Sequence, residues 1–366
     1  MRHDASDPSS TIARKHGTER SGVPERRLAS RCAWATVALA TLLLLASCAQ
    51  HVPEIDHAPP APSSLTTWKR PLFGAYTYGG VWSGLEPVEE IERALGRDLA
   101  VVHWFMSFDN AYEPALVDGV LAGGRAPMIS WEPMSHDVAS IAAGDHDDYL
   151  RSWARGIRDA PGPVYLRPFP EMNGDWTPWN GDPDTLKTAW RRIATLFAHE
   201  HAHNVRWVFS PNVTDEPRTP ENAMERYYPG DDVVDILALD GYNWGTKRDW
   251  STWTPFQDVF RQGYDRIATL GPQPIWFAEI ASAETGGDKA AWITDMFTTA
   301  PTAFPRLEAL IWFDEQKEAD WRIASSPEVV SAFREALSVA ETVEAGGERD
   351  DGVVAALSAA STALRD

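Results

Sequence analysis

Short apolar runs rich in β-branched and aromatic residues recur along residues 72–313, and amphipathic stretches with a helical period separate them. The runs predict eight β-strands, over residues 72–77, 99–105, 127–131, 164–169, 205–210, 234–240, 274–280 and 307–313. The clearest helical patterns cover residues 86–95, 147–157, 183–201, 256–270 and 290–297. Nearly continuous apolar strands that alternate with helices indicate a parallel sheet covered by helices. Eight such units without an internal linker predict an α/β fold, a single (β/α)8 TIM barrel, rather than two doubly wound domains.

The segments that flank this block predict export and attachment to a membrane through a lipid. Three arginines within residues 26–31 precede an apolar run over 33–46, and Leu45-Ala46-Ser47-Cys48 resembles a bacterial lipobox. The run is short for a membrane span, which favours a cleaved signal over a signal anchor. We therefore expect a cell-envelope lipoprotein, membrane-anchored or extracellular. Its predicted segments are a lipoprotein signal peptide over 1–48 with lipidation at Cys48, a flexible tether over 49–68, the barrel domain over 69–340 and a low-complexity tail over 341–366.

Charge and composition narrow the possible partners. The formal net charge is −20, and the block between the flanks has no lysine or arginine cluster suited to a phosphate backbone, which argues against nucleic acid. Cys32 would be lost with the signal and Cys48 would carry lipid, so the sequence predicts no disulfide and no thiol ligand or nucleophile. No cofactor or metal is predicted, and a monomer is expected.

The chain contains 17 tryptophans, an unusually high number. The flat faces of indole rings can stack on sugar rings, and indoles also fill protein cores.

Polar and aromatic side chains close most of the predicted strands. In a parallel barrel, chemistry takes place at the carboxyl ends of the strands, so these positions are the candidates for a site. The positions are His103 and Trp104, Trp131 and Glu132, Arg167 to Asn173, Ser210 and Asn212, Asp240 to Trp244, Glu279, and Trp312 to Glu315. They predict a ring of carboxylates, amides and aromatic rings around the barrel mouth.

Two glutamates stand out in this ring. Glu171 follows the fourth predicted strand and Glu279 lies in the seventh. Hydrolysis of a glycosidic bond with retention needs a protonated carboxyl and an ionised carboxylate about 5 Å apart, and two strand-end glutamates can meet that geometry. A lone strand-end glutamate is more often solvated or ion-paired, but a matched pair, one of them within an aromatic-flanked motif, favours glycoside hydrolysis.

The stretch RPFPEMNGDWTPW (167–179) resembles the acid/base motif of glycoside hydrolase family 26. This family contains many β-mannanases, some mixed-linkage β-glucanases and β-1,3-xylanases. Four further segments match the family in the right order: ISWEP (129–133), YYPGDDVVDILALDGYNWG (227–245), IWFAEIAS (275–282) and IWFDEQKEADWRI (311–323). The resemblance covers residues 72–333 and implies a retaining enzyme that cleaves a β-linked polysaccharide, with β-1,4-mannan as the first expectation. The sequence has no obvious insertion that would block the barrel mouth, so endo-action is expected.

The resemblance also implies roles for individual side chains. Glu171 would be the acid/base and Glu279 the nucleophile, and Tyr242 would hydrogen-bond the nucleophile. The implied sugar platforms and polar neighbours are Trp176, Trp312, His103 and Arg167. We expect Glu171 to be protonated in the free enzyme, because desolvation and the nearby charge of Glu279 would raise its pKa.

Further aromatic residues near the strand ends are predicted to contact substrate. These are Trp104, Trp179 and Trp244, whereas Trp153, Trp190, Trp207 and Trp292 are predicted to lie in the core. Asp240 is expected to cap its strand or to brace Tyr242.

One departure from the family and two rival functions stay open at this point. The family usually places histidine directly before the acid/base, whereas this chain has Pro170, which bears on substrate choice and rate and leaves room for a non-catalytic carbohydrate-binding lipoprotein. A mixed-linkage β-1,3-1,4-glucanase or a β-1,3-xylanase is the alternative within the family. A metal-dependent barrel hydrolase would need a His-x-His motif after the first strand, where Ala75-Tyr76-Thr77 stand instead.

Overall fold

Eight parallel strands pair in chain order and close into a barrel, with β8 hydrogen-bonded to β1. The structure, a computed structural model, describes the backbone of residues 71–344 and the side chains of residues 71–338. The strands are β1 Leu72–Thr77, β2 Val101–Ser107, β3 Ala126–Glu132, β4 Val164–Pro168, β5 Val205–Phe209, β6 Ile236–Asn243, β7 Ile275–Ser282 and β8 Leu307–Asp314. The predicted (β/α)8 TIM barrel is confirmed.

An α-helix follows every strand except β5, and these helices form the outer layer of the barrel; β5 is followed by three short 3-10 helices, Pro220–Asn222, Met224–Tyr227 and Asp231–Val233. They are α1 Glu86–Leu95, α2 Pro114–Ala122, α3 Val138–Ala143, α4 Asp147–Asp159, α5 Pro183–His199, α6 Phe256–Ile267, α7 Lys289–Ala303 and α8 Pro327–Glu344. The sequence pattern missed α2, α3 and α8. The first is apolar almost throughout, so it has no polar face to reveal a helical period, and the second is only 6 residues long.

The segments predicted at the two ends of the chain lie wholly or largely outside the residues that the structure describes. The predicted signal peptide with Cys48, and the tether over 49–68, lie outside the described residues. Helix α8 extends to Glu344, four residues beyond the predicted end of the barrel domain, and the remainder of the predicted tail is outside the description. Within residues 71–344, no helix is long and apolar enough to cross a membrane.

Local signals in the sequence explain where several helices start and stop. The Asp182 side chain accepts a hydrogen bond from the Thr185 amide (3.1 Å) and so caps α5, and Asp288 caps α7 in the same way. Helix α1 ends at Gly96, whose left-handed backbone (φ 75°) lets its amide reach the Glu92 carbonyl. These caps satisfy backbone groups that the helices themselves leave unpaired.

Strand side chains alternate between two apolar layers. One set faces the barrel interior and packs across it, including Val101, Met128, Val208 and Ile311. Their chain neighbours face outward, where they pack against the helices in the larger core. The four tryptophans predicted to be core, Trp153, Trp190, Trp207 and Trp292, are all buried in this outer layer.

Between Phe277 and Ile280, strand β7 contains one extra residue relative to both β6 and β8. Leu239 and Asp240 of β6 pair with Phe277 and Glu279, so Ala278 is skipped, and the pairing with β8 shifts between Phe277 and Ile280. Such a bulge breaks the alternation of faces. Ala278 packs in the interior, and the next side chain, Glu279, also reaches a group inside the barrel. The bulge therefore turns Glu279 inward.

Candidate active site

The backbone after β4 takes an uncommon path through Phe169, Pro170 and Glu171. Phe169 and Glu171 have φ values of 53° and 52°, in the left-handed region that residues other than glycine rarely adopt. The Phe169 amide donates to the Trp131 carbonyl of β3 (3.2 Å), and the Glu171 amide donates to the Ser210 carbonyl after β5 (2.8 Å). These two bonds hold the turn between its neighbouring strands and place Glu171 at the barrel mouth.

The carboxyl group of Glu171 accepts one hydrogen bond at each oxygen. Asn212 Nδ2 donates to Oε1 (2.6 Å) and Trp176 Nε1 donates to Oε2 (2.9 Å). Burial, and then the charge of Glu279, raise the pKa of Glu171, while the two donors and Arg167 act in the opposite direction. A carboxyl in this environment is suited to hold a proton and to release it.

Glu279 lies opposite, on β7, in a different environment. Its carboxylate is 6% exposed, Arg167 Nη2 lies 2.7 Å from Oε1, and the Tyr242 hydroxyl donates to Oε2 (2.5 Å). The guanidinium and the phenol therefore contact different oxygens of this carboxylate and fix its orientation. The structure thus gives the two predicted carboxyls different partners.

Arg167 connects Glu279 to the barrel interior. It is completely buried, and its Nη2 also lies 2.7 Å from Asp240 Oδ2, whose second oxygen accepts from Ser210 Oγ (2.9 Å). Burial raises the pKa of Asp240 well above its usual range, and the charge of Arg167 opposes this. The expectation that Asp240 braces Tyr242 is wrong: the Asp240 carboxylate pairs with Arg167, and it supports Glu279 through that guanidinium.

His103 lies beneath an aromatic group at the mouth. Its Nε2 is 2.6 Å from Ser130 Oγ, and burial, followed by the charge of Arg167, lowers its pKa well below the usual range, so the ring is neutral. Above it, Tyr76 stacks on Phe313 with ring centroids 4.7 Å apart, and the Tyr76 hydroxyl donates to Glu315 (3.1 Å). These rings form one wall of the site.

Two of the tryptophans predicted to contact substrate face the wrong way. Trp104 is 1% exposed and Trp312 is fully buried, and both pack in the layer between strands and helices. Trp312 Nε1 donates to the Trp321 carbonyl (2.7 Å). Because neighbouring strand residues point to opposite faces, the inward positions belong to His103 and Phe313. The predictions that Trp104 and Trp312 contact substrate are therefore wrong.

The other predicted aromatic contacts differ from one another. Trp179 is 4% exposed and donates to the Pro170 carbonyl (2.8 Å), so it packs beneath the acid/base turn and cannot meet a sugar, which corrects that prediction. Trp176 is 51% exposed beside Glu171. Trp244 is half-buried near Tyr242 and packs edge-on against Trp321 at 5.0 Å. Trp176 and Trp244 remain candidates for sugar contact.

The structure gives contacts to three strand-end residues that the sequence placed in the ring without a role. Asn212 contacts Glu171 directly, and Phe313 with Tyr76 forms the aromatic wall. Glu132 lies at the end of β3, and burial together with the charges of Glu279 and Glu171 raises its pKa to about 7. Tyr76, on β1, was not among the predicted site residues.

The site therefore groups four carboxyl side chains with few cations. Glu132, Glu171, Asp240 and Glu279 interact electrostatically with one another and with Arg167. Among residues 71–338, no group of three or more histidine, cysteine, aspartate or glutamate side chains has the arrangement of a metal site. The arrangement can donate a proton from one carboxyl and present a second carboxylate as a nucleophile across a cleft.

Comparisons with known proteins agree with this chemistry. The model of glycosyl hydrolase family 26 matches residues 139–304. Endoglucanase H of Acetivibrio thermocellus is 37% identical over 282 residues, which cover 72% of this chain and 31% of that protein. Mannan endo-1,4-beta-mannosidase A and B of Caldalkalibacillus mannanilyticus is 33% identical over 132 residues, or 33% of this chain and 22% of that protein. The chain thus spans less than a third of the length of either relative.

A solved structure supports the fold. The catalytic domain of the endo-beta-1,4-mannanase from Bacillus sp. JAMB-750 superimposes with a TM-score of 0.55 at 21% sequence identity. The superposition covers 74% of this chain and 86% of that one. At this identity the likeness establishes the barrel architecture alone.

Proposed function

The chain belongs to glycosyl hydrolase family 26, and from that premise we propose that it is an endo-acting, retaining hydrolase of a β-linked polysaccharide. The observation that carries the proposal is the pair of carboxyls after β4 and on β7, which interact electrostatically and have different partners. Glu171 has a raised pKa, and Glu279 is held by a guanidinium and a phenol. Retaining glycosidases need that division of labour.

In the first step, Glu279 attacks the anomeric carbon while Glu171 gives its proton to the departing glycosidic oxygen. The bond between that carbon and oxygen breaks, and an ester bond joins the sugar to Glu279. In the second step, Glu171, now ionised, takes a proton from water, and the resulting hydroxide displaces Glu279. The proton returns to Glu171, and the sugar leaves with its original anomeric configuration.

Other side chains are assigned supporting roles in the same reaction. Tyr242 and Arg167 would orient the nucleophile, since each contacts a different oxygen of Glu279. Trp176, exposed beside the acid, would stack on a sugar ring, and Trp244 would line the cleft further out. His103, neutral and buried below the aromatic wall, would act as a polar neighbour at the floor.

β-1,4-Mannan is the first proposed substrate, because several relatives carry the name mannan endo-1,4-beta-mannosidase. A β-glucan is the second candidate, since the match to endoglucanase H spans more of this chain at a higher identity. Pro170, where the family usually places histidine, lies next to Glu171 and removes a side-chain donor at that point. Substrate choice at this site therefore depends on donors other than residue 170.

Purified protein should be incubated with β-1,4-mannan, mixed-linkage β-glucan and β-1,3-xylan, and new reducing ends should be measured with product sizing. We expect oligosaccharides from one polymer and an initial product of retained configuration by NMR. The matched variants are Glu279→Ala, expected to lose more than about 1,000-fold in kcat, and Glu90→Ala on the exposed face of α1, expected to keep wild-type activity. Full activity of Glu279→Ala would overturn the proposed mechanism with Glu279 as nucleophile, and no cleavage of any polymer by the wild type would favour sugar binding without catalysis.

We also propose that the protein is exported as a monomer and tethered to the cell envelope by a lipid on Cys48. The lipobox-like sequence before Cys48 supports this assignment. Metabolic labelling with a tritiated fatty acid should mark the wild-type protein and not Cys48→Ala, which should be released from the membrane fraction. Equal labelling of both proteins would refute lipidation at this position, and size-exclusion chromatography with light scattering tests the monomer.

A further inference from the structure

The rotamer of Glu171 depends on an amide whose own orientation is fixed. Asn212 Nδ2 donates to Glu171 Oε1 (2.6 Å), and Asn212 Oδ1 accepts from the Thr214 amide (2.9 Å). Since the oxygen end of the Asn212 amide is engaged by the backbone, its nitrogen end must face the carboxyl. Asn212 is thus a dedicated donor to Glu171.

The side chain of Asn173 hydrogen-bonds both the backbone amide and the backbone carbonyl of Asn212. The buried Asn173 Oδ1 accepts from the Asn212 amide (2.8 Å), and Asn173 Nδ2 donates to the Asn212 carbonyl (3.0 Å). Asn222 Nδ2 in turn donates to the Asn173 carbonyl (2.8 Å). The loop after β5 is therefore hydrogen-bonded to the loop after β4 at the position that carries the donor.

The Asn173 side chain is also hydrogen-bonded to a charged residue, Asp215, which pairs with a helix of the outer layer. Asn173 Nδ2 also donates to Asp215 Oδ1 (2.8 Å), and Asp215 Oδ2 lies 2.8 Å from Arg266 Nη2 of α6. Arg266 also forms a two-point contact with Glu225, at 2.7 and 2.6 Å. Asp215 does not touch Glu171, yet it is the group through which helix α6 fixes the Asn173 side chain.

We propose that Asp215 is a positioning residue for the acid/base, which acts through Asn173 and Asn212 to hold Glu171 in the orientation that donates a proton. This inference rests on the function proposed above. Pro170 offers no side-chain donor, so the Asn212 amide and the Trp176 indole are the donors that orient the carboxyl among the described residues. Loss of Asp215 removes a charged acceptor of Asn173 Nδ2 and the link to Arg266 of α6, which weakens the hold of Asn173 on the Asn212 backbone.

The test separates proton donation from the rest of catalysis. Aryl β-mannobiosides and aryl β-cellobiosides with phenyl and 2,4-dinitrophenyl leaving groups serve as probes, because dinitrophenolate departs without a proton. For Asp215→Ala we expect kcat/KM on the phenyl glycoside to fall about 10- to 100-fold, and kcat/KM on the dinitrophenyl glycoside to stay within about 3-fold. Asp215→Asn keeps an acceptor for Asn173 and is expected to restore the phenyl rate to within about 3-fold of wild type.

A second readout is the pH profile of kcat/KM. The Asn212 donor lowers the pKa of Glu171, so its loss raises that pKa and should move the alkaline limb to higher pH in Asp215→Ala. The charged and titratable groups around Glu171 are Glu132, Arg167, Asp240, Tyr242 and Glu279. All of them are unchanged in the variant, so a shift reports on the donor.

The matched control is Asp147→Ala. Asp147 on α4 receives a two-point contact from Arg192 of α5 (2.7 and 2.8 Å). The Asp147→Ala variant therefore loses a comparable ion pair that has no connection to Glu171. It should affect both leaving groups equally. If Asp215→Ala does not fold, Asn212→Ala is expected to give the same dependence on leaving group. An equal loss on both glycosides in a folded variant would overturn the positioning role, whereas a wild-type protein inert on every glycoside and polymer would overturn the proposed function itself.

Discussion

Glu132→Gln is expected to stabilise the protein at alkaline pH and not at acidic pH. Glu132 ends β3 among the carboxyls of the cleft, and no hydrogen bond or ion pair to its carboxyl occurs within residues 71–338. Burial and then the charge of Glu279 raise its pKa from the ordinary 4.5 to about 7. The folded state therefore binds this proton more tightly than the unfolded chain does.

The sign and size of the effect follow from this difference. Stability from Glu132 is fully present below pH 4.5 and is lost as the pH rises through about 7, because the folded protein must then hold an unfavourable charge. At about 1.36 kcal/mol per pH unit, the difference between the two pKa values corresponds to about 3 kcal/mol. Glutamine cannot ionise, so the variant does not incur this cost.

Urea unfolding at pH 5 and pH 8 measures the effect. The free energy of unfolding of Glu132→Gln relative to wild type should increase by about 2.5 kcal/mol between the two pH values, since a small part of the cost is already present at pH 5. Glu90→Gln, at an exposed position on α1, removes one charge outside the cleft and should give the same difference from wild type at both. If the difference in free energy of unfolding between Glu132→Gln and wild type does not change with pH, the raised pKa of Glu132 is refuted.

Three further substitutions test other parts of the site. Tyr242→Phe removes the 2.5 Å hydrogen bond to Glu279, the proposed nucleophile, and is expected to lower kcat about 10- to 100-fold with KM within about 2-fold, by initial rates; an unchanged kcat contradicts its role. Arg167→Leu leaves Asp240 buried without its cation and should lower the free energy of unfolding by about 3–5 kcal/mol in urea; a loss below about 1 kcal/mol would argue against the buried pair. Trp104→Ala should cost about 3–5 kcal/mol of stability while the folded protein keeps wild-type KM, and a large rise in KM would instead indicate substrate contact.

The architecture could be predicted from the sequence because each unit carries its own local pattern. The bounds of β1 and α1 agree with the prediction at both ends, and the other predicted strands overlap those observed. Local signals such as the Gly96 stop and the Asp182 cap need only neighbouring residues to act. The chain order of the barrel then follows from right-handed connections between adjacent parallel strands.

The orientation of the site residues was harder to predict. Trp104 and Trp312 differ from the inward residues His103 and Phe313 by one position, and the choice between faces depends on pairing with distant strands. Trp179 lies near Glu171 in sequence, yet its indole N–H donates a hydrogen bond to the Pro170 carbonyl instead of facing the cleft. Proximity to a strand end was sufficient to find the cleft and insufficient to decide which rings line it.

The buried Arg167 bridge has a consequence for the timing of proton transfer. In the resting protein, one buried guanidinium contacts the carboxyl groups of both Asp240 and Glu279. In the proposed reaction, esterification of Glu279 removes the negative charge of that carboxylate. This charge is the second cause of the raised pKa of Glu171, after burial, so its loss lowers the pKa of Glu171 and favours the ionised carboxylate that must take a proton from water. The charge of Glu279, which Arg167 and Tyr242 hold in place, would thus change the acidity of Glu171 twice in every catalytic cycle.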